Sequence, residues 1–234
     1  MKKLLISTLI AVVFSTTFLN AQTCGYYMPM KLNSGIEKKT YSGKDNLTGS
    51  YTQKIVEMTT EGAFSVSKIE TENFDKKGKS SGKRTYTVKC NGNSVIIDAK
   101  SLLDPETLKA YEGMDITISC EDFEIPTNPT VNQTLKDGSA SVKVVNQGMD
   151  FAAINMIITD RKFVAIESVT VPQGTYECLK LTYNISMEIS IMGFPKTIIM
   201  SGVDYISSKV GSVKTETYDK NDKLISYDVL TNIF

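Results

Sequence analysis

The chain of 234 residues contains no histidine, no tryptophan and only four cysteines. Without histidine, Ser-His-Asp and Cys-His nucleophilic machinery, histidine metal sites and the usual proton shuttle at neutral pH are excluded. The sequence also lacks a glycine-rich phosphate loop and a G-x-S-x-G nucleophile elbow. We therefore expect a protein that is not an enzyme and that uses no cofactor.

Long apolar runs are scarce as well, and the clearest one lies at the N-terminus. It follows Met1-Lys2-Lys3, extends from Leu4 to Phe14 and precedes a short stretch that ends at Ala21. A basic start, a short apolar run and a small final residue are the three parts of a secretory signal peptide. A run of about 11 residues is too short to span a bilayer, which needs ~20. We predict a signal peptide at 1–21, a single mature domain at 22–234, and a location in the periplasm or outside the cell.

Two alternatives concern this N-terminus. The apolar run could be retained as a membrane anchor, although its length argues against this. Cys24 could instead carry a lipid, but lipid attachment requires small residues directly before the cysteine, and Gln22 does not fit. We therefore expect a protein that is soluble after signal cleavage.

Neither sign of charge is in excess. The chain has 26 basic and 26 acidic residues. Cleavage after Ala21 removes Lys2 and Lys3, which leaves 24 basic residues against 26 acidic ones, a net charge of −2. Nucleic-acid binding relies on an excess of positive charge, which this balance does not provide, so no nucleic-acid partner is expected.

All four cysteines remain after the predicted cleavage. An even number of cysteines in an exported chain favours disulfides, and four cysteines allow three connectivities. Zinc would require paired C-x-x-C spacings, whereas these cysteines stand 30 or more residues apart. We prefer the pair Cys24–Cys90, which would fasten the N-terminal segment to a sheet, and Cys90–Cys120 is the competing pair. The cysteines that we expect to form disulfides are Cys24, Cys90, Cys120 and Cys178. The alternative is that they are free, buried thiols.

The clearest structural pattern runs from Tyr176 to Met192. Alternate strand residues point to opposite faces, so strict alternation predicts a long strand with one dry and one wet face, as in antiparallel sheets. Polar residues occupy the positions between the apolar ones, which are Leu179, Leu181, Tyr183, Ile185, Met187, Ile189 and Ile191.

Short polar tips separate the predicted strands. Tyr41–Leu47, Phe74–Lys79 and Tyr218–Leu224 each place an aromatic residue before a tip rich in Asp, Gly, Asn or Lys, and Asn91-Gly92-Asn93 is a fourth tip. Such residues tolerate the tight backbone of hairpin loops, so the strands are expected to be antiparallel neighbours.

One helix is predicted near Asp104–Glu112. Asp104 can cap it, Pro105 suits its first helical position, and Gly113 can end it. The Pro- and Asn-rich stretch 124–132 is expected to separate two halves of one domain. The fold class is therefore mainly β: a curved antiparallel sheet, or half-barrel, of about 10–12 strands wrapped around one or two short helices.

Several short motifs resemble one family. They are Cys24–Lys31, Gly49 after its tip, Val131–Asp137, Pro172–Cys178 and Lys209–Glu216, and together they are similar to the exported TapB-like proteins. The resemblance implies a curved sheet wrapped around a helix, as in the carriers that move lipoproteins across the periplasm. It brings no catalytic residues with it.

Two functional hypotheses remain open. The first is a non-enzymatic binding module that presents an apolar concave face, with Met187, Ile189 and Ile191 lining a groove for a lipid-like ligand or a cell-envelope protein. The second is a structural or assembly protein of the cell envelope, whose apolar face is used entirely by its own core. Catalysis by carboxylates such as Glu121 and Asp122 is a distant third hypothesis. Five methionines fall within one third of the chain and suit adaptable apolar surfaces, but they also fill irregular cores. They are Met149, Met156, Met187, Met192 and Met200.

Overall fold

The computed structural model describes residues 31–98, 111 and 113–234. Within these ranges all regular secondary structure is β-strand. There are thirteen strands, more than the 10–12 expected: β1 Gly35–Ser42, β2 Leu47–Glu61, β3 Phe64–Asp75, β4 Ser80–Cys90, β5 Ser94–Ile97, β6 Asp115–Cys120, β7 Phe123–Pro126, β8 Gly138–Asn146, β9 Met149–Val171, β10 Gly174–Ile191, β11 Phe194–Ser207, β12 Gly211–Asp219 and β13 Leu224–Ile233.

All thirteen strands belong to one sheet, in the order β6-β8-β9-β10-β11-β12-β13-β1-β2-β3-β4-β5-β7. Every neighbouring pair is antiparallel. Only the pairs β6–β8, β13–β1 and β5–β7 join strands that are not consecutive in the chain. The prediction of an antiparallel meander is therefore confirmed.

The strongest local predictions match the structure. The alternating run becomes β10, which pairs with β9 and β11 along its length. The polar tips form hairpin turns: the Asp75 carboxylate accepts hydrogen bonds from the backbone N–H groups of Lys77 and Lys79 at 2.8 and 2.9 Å. The Asp219 carboxylate does the same for Asn221 and Lys223. In the tip Tyr41–Leu47 the Ser42 hydroxyl takes the place of the carboxylate and accepts hydrogen bonds from Lys44 N and Asn46 N.

The sheet is curved, and its two edges approach each other. β6 is one edge strand and β7 is the other, yet only Glu121 and Asp122 connect them. A two-residue connection spans at most about 10–12 Å, so the two edges must be close. No ladder of hydrogen bonds joins β6 to β7 among the described residues, so the sheet remains open.

The predicted break at 124–132 is the segment that crosses this opening. Its first part is strand β7, and the rest leads back toward β9. Asn132 donates a backbone hydrogen bond to Phe163 O, Phe163 donates one to Gln133 O, and Leu135 donates one to Arg161 O. Register shifts in the β9–β10 ladder lie beside this contact, between Lys180 and Leu181 and between Thr182 and Asn184. The segment thus joins two parts of one sheet.

The main hydrophobic core lies on the inner face of the strands around β1. Ile36, Ile55, Val95, Val213 and Leu230 are at most 1% exposed and belong to one cluster. A second, smaller cluster contains Ile125, Leu135, Phe163, Leu179, Leu181 and Ile206. The predicted helix Asp104–Glu112 lies outside the described residues, except for Tyr111, which lies in a turn.

The cysteine prediction needs a correction. Cys90 ends β4, Cys120 ends β6 and Cys178 lies in β10, and these described cysteines are not joined to one another. The competing pair Cys90–Cys120 is therefore wrong, because the two residues end strands at different places in the sheet order. Cys178 is a buried free thiol. Cys24 lies outside the described residues, so the pair Cys24–Cys90 stays a prediction.

Candidate functional site

Two adjoining pockets open into the interior of the curved sheet, and together we call them the chamber. The first, of about 280 Å³, is the apolar pocket. The second, of about 240 Å³, is the polar pocket. Ile97, Asp204 and Ser212 line both pockets, so the two spaces are contiguous.

The apolar pocket lies where the two edges of the sheet approach each other. The short strands β5 and β7 contribute one side, and the long strands β9, β10 and β11 contribute the other. Its side chains are mostly branched aliphatic, which gives an apolar space without charge over most of its lining. These residues are Ile97, Phe123, Ile125, Ile158, Leu181, Ile185 and Ile206.

Lys38 is the central charge of the polar pocket. Its side chain is only 2% exposed, and Nζ donates a hydrogen bond of 2.6 Å to Ser212 Oγ. Burial lowers the pKa of Lys38 to about 8, while Asp204 and Asp228 act in the opposite direction. A lysine in this position carries its charge at neutral pH but loses it far more easily than a surface lysine does.

Two carboxylates lie in one row of the sheet, on either side of Thr215. Asp204 pairs with Thr215, and Thr215 pairs with Asp228, so the three residues lie on the same face of β11, β12 and β13. Burial raises the pKa of Asp204, while a hydrogen bond from Thr215, the charge of Lys38 and a hydrogen bond from Tyr183 oppose this effect. Asp204 keeps some accessible surface because it faces the chamber.

Three tyrosines surround these charges. Burial is the main cause that raises the pKa of Tyr51, Tyr86 and Tyr183, so their hydroxyl groups stay protonated and can donate hydrogen bonds. Tyr86 accepts one from Gln53 Nε2 at 3.1 Å. Gly202 makes room for Tyr183, because a β-carbon at Gly202 would overlap the tyrosine ring.

Arg161 closes the side of the apolar pocket at the opening between the sheet edges. It is 5% exposed. Its guanidinium donates to Lys136 O at 2.6 Å and to Glu124 O at 3.4 Å, and it lies 5.7 Å from the centre of the Phe123 ring. Arg161 therefore ties β9 to β7, the far edge of the sheet.

The residues predicted to line a groove lie beyond this chamber. Met187 and Ile189 are half-buried, and Ile191 is 54% exposed. They share the face of Ile185, which lines the apolar pocket, but they do not line either pocket of the chamber themselves. Their role in ligand binding stays a prediction.

Sequence reasoning missed the polar end of the chamber. A usable signal exists, because each of these charged residues lies two positions from a buried apolar residue on the same strand face. Lys38 shares the face of Ile36, Asp204 that of Ile206, and Asp228 that of Leu230. A charge on the dry side of a strand is unusual and points to a paired or functional group.

The residues 34–230 match the model of the DUF3108-like family. This match covers most of the chain, which therefore belongs to that family. No curated protein matches the chain.

Two solved structures are similar to the chain over nearly all of their length. A protein from Bacteroides fragilis, described as exported and as having a YmcC-like fold, has a TM-score of 0.67 and 20% identity over 89% of this chain and 99% of its own. A protein from Parabacteroides distasonis, described as a lipoprotein, has a TM-score of 0.70 and 25% identity over 89% of this chain and 98% of its own. These descriptions confirm the predicted location in the periplasm or outside the cell.

In the described part of the chain, no helix has both the length and the apolar character needed to cross a membrane. The predicted cleavage site after Ala21 lies outside the described residues.

Proposed function

We propose that this protein is an exported, non-enzymatic binding module whose chamber holds a lipid-like ligand. The observation that carries the proposal is the contiguity of the apolar pocket with the polar pocket. A lipid is divided in the same way, into an apolar chain and a polar head group. The chain would lie among Ile158, Ile185 and Leu181. The head group would reach Lys38 and Asp204. The TapB-like resemblance, which we retain as a proposal, supports the same function.

The size of the chamber limits the ligand. The two pockets measure about 280 and 240 Å³, each just below the ~300–1,000 Å³ typical of sites for small molecules. Together they suit a lipid with one chain better than a lipid with several. The polar pocket offers both donors and acceptors, so a head group bearing hydroxyl groups fits its chemistry.

Native mass spectrometry of gently purified protein tests the proposal. We expect a co-purifying lipid with the wild-type protein, and its loss in the variant Ile185→Phe, because the larger ring fills the apolar pocket. The matched control is Ile157→Phe, since Ile157 is 49% exposed and neighbours the pocket residue Ile158 on the opposite face of β9. The control should keep the lipid.

The second hypothesis, a structural or assembly protein, predicts a different outcome. In that case the wild-type protein carries no lipid and binds no hydrophobic dye, and Ile185→Phe only changes the thermal stability by filling unused space. This result would contradict the binding proposal. A carboxylate-based activity would instead require turnover of a substrate that is lost in Glu121→Gln or Asp122→Asn.

A further inference from the structure

An exposed apolar cluster lies at one end of the sheet, and we call it the hairpin tip. It consists of Met149, Ile191, Met192 and Phe194, which are 71%, 54%, 65% and 81% exposed. They surround the turns of hairpins β8–β9 and β10–β11, and Met192 N donates a hydrogen bond of 2.8 Å to Phe151 O, which holds the two turns side by side. Single exposed apolar residues are normal, but four on adjacent turns form a patch of the kind that marks an interaction site.

Local folding does not explain the choice of Met192. Met192 and Gly193 have φ values of +50° and +83°, the conformation for which two-residue hairpin turns prefer Asn-Gly or Asp-Gly. A long apolar side chain at a positive φ is unfavourable for the backbone and, being exposed, adds nothing to the core. Its presence therefore points to a contact outside the chain.

Both signs of charge lie around the hairpin tip, and the acidic residues are the exposed Asp115, at the start of β6, and Asp150. The carboxylate of Asp150, next to Met149, is neutralised by Lys143 at 2.8 Å. Lys196, two residues after Phe194, is exposed and adds positive charge. Basic side chains near an apolar insertion increase the attraction to anionic lipids.

The hairpin tip is also continuous with the chamber. Cross-strand pairs on one face of β9 and β10 run from Ala152–Ile191 through Ile154–Ile189 and Met156–Met187 to Ile158–Ile185. The last pair lines the apolar pocket. Six residues of strand separate Ile185 from Ile191, which corresponds to about 20 Å. An apolar face thus connects the hairpin tip with the proposed ligand site.

We propose that the hairpin tip inserts into a lipid bilayer and that the lipid-like ligand passes along this face between the bilayer and the chamber. The route, though not the insertion itself, rests on the proposed function. It also gives a role to Met187, Ile189 and Ile191, which would line the path of the ligand and not its final site.

Flotation with vesicles of phosphatidylethanolamine and phosphatidylglycerol tests the insertion. The wild-type exported protein should float with the vesicles. The triple variant Met149→Ser, Met192→Ser, Phe194→Ser should bind at least about tenfold more weakly, because it removes most of the apolar surface available for insertion.

The matched control replaces three apolar residues of comparable exposure elsewhere on the strands: Ile157→Ser, Ile199→Ser and Ile225→Ser, which are 49%, 47% and 41% exposed. The control should float like the wild type, and both triple variants should keep the wild-type melting temperature. A wild-type protein that does not float overturns the proposal and would favour a protein partner at the hairpin tip. A hairpin-tip variant that floats like the control overturns it as well.

Lipid analysis of the floated protein separates this proposal from the proposed function. Ile185→Phe should still float but carry no lipid. The hairpin-tip variant should still take up a lysolipid supplied as monomers, since its chamber is unchanged. If the wild-type protein floats but never carries lipid, the proposed function and the route along the face fail while bilayer insertion stands. If the hairpin-tip variant exchanges lipid with vesicles at the wild-type rate, the route fails alone.

Discussion

The packed half of the molecule, around β1–β5, β12 and β13, differs sharply from the open half, formed by the far ends of β9–β11. In the packed half Ile55, Val95 and Leu230 are fully buried. In the open half Ile154 is 37% exposed and Ile191 is 54% exposed, although both occupy the apolar positions of alternating strands. Alternating apolar side chains are therefore buried in one half and exposed in the other, depending on whether another part of the sheet faces the strand.

Strand length accounts for part of this difference. β9 has 23 residues and β10 has 18, whereas β5 and β7, which face them across the apolar pocket, have four each. The long strands extend beyond their short counterparts, so within the described residues less of the sheet faces the apolar side chains at their far ends. The chamber lies at the boundary between the two halves.

The largest expected effect is the loss of a buried side chain from the packed half. Leu230→Ala should lower the free energy of unfolding by about 2–5 kcal/mol, because it removes apolar contacts and leaves a cavity. Ile191→Ala in the open half should change it by less than about 0.5 kcal/mol. Urea unfolding measures both values, and equal losses would show that the two halves do not differ in packing.

The second prediction concerns the fastening of the packed half through Cys90, which is fully buried at the end of β4. A disulfide with Cys24 should contribute about 3–4 kcal/mol, so a reducing agent should destabilise the wild-type protein by that amount. Cys24→Ala should be insensitive to reduction, and Cys120→Ala should remain sensitive. Non-reducing peptide mapping that finds both Cys24 and Cys90 as thiols would contradict the pairing.

The third prediction tests the buried charge between the two halves. The pKa of Lys38 falls from 10.5 to about 8 on folding, so the unfolded chain binds more protons between these values. Stability from this group is therefore present above pH 10.5 and lost as the pH falls through about 8. Relative to Lys38→Met, the free energy of unfolding of the wild type should rise by up to about 3 kcal/mol across this window.

The variant Lys38→Met removes the titrating group but keeps the tyrosines, whose raised pKa values affect both proteins in the same range. The difference between the two proteins therefore isolates Lys38. Urea unfolding at several pH values provides the measurement. A difference that does not depend on pH would show that Lys38 is solvated in the folded protein.

The smallest expected effect comes from Gly202. A methyl group there would overlap the ring of Tyr183, so Gly202→Ala should lower the free energy of unfolding by about 1–3 kcal/mol. The neighbouring change Ser201→Ala, on the other face of β11, should stay within about 0.5 kcal/mol. Thermal unfolding compares the two variants. Equal stabilities would mean that Tyr183 can move without cost.

Prediction from the sequence succeeded where the determinants are local. The alternation at Leu179–Ile191 predicted β10, and the Asp-containing tips predicted hairpin turns, because side-chain period and turn chemistry act over a few residues. It failed for the pair Cys90–Cys120, since the local sequence does not show how far apart two strands lie in the sheet. It also missed Lys38, Asp204 and Asp228, which are distant in sequence and meet only across the sheet.

By itself, the sequence determined the antiparallel class of the fold and the positions of its turns, while the signal peptide at 1–21 stays a prediction. The fold class and the turns follow from a period of two residues and from Asp or Gly at the tips. Only the tertiary structure decided that β13 pairs with β1 and that β6 and β7 form opposite edges which curve toward each other. The pairing of β13 with β1 joins the two ends of the described sequence, and the curvature of the sheet places Lys38 beside Asp204 and the apolar end of β10 next to a chamber.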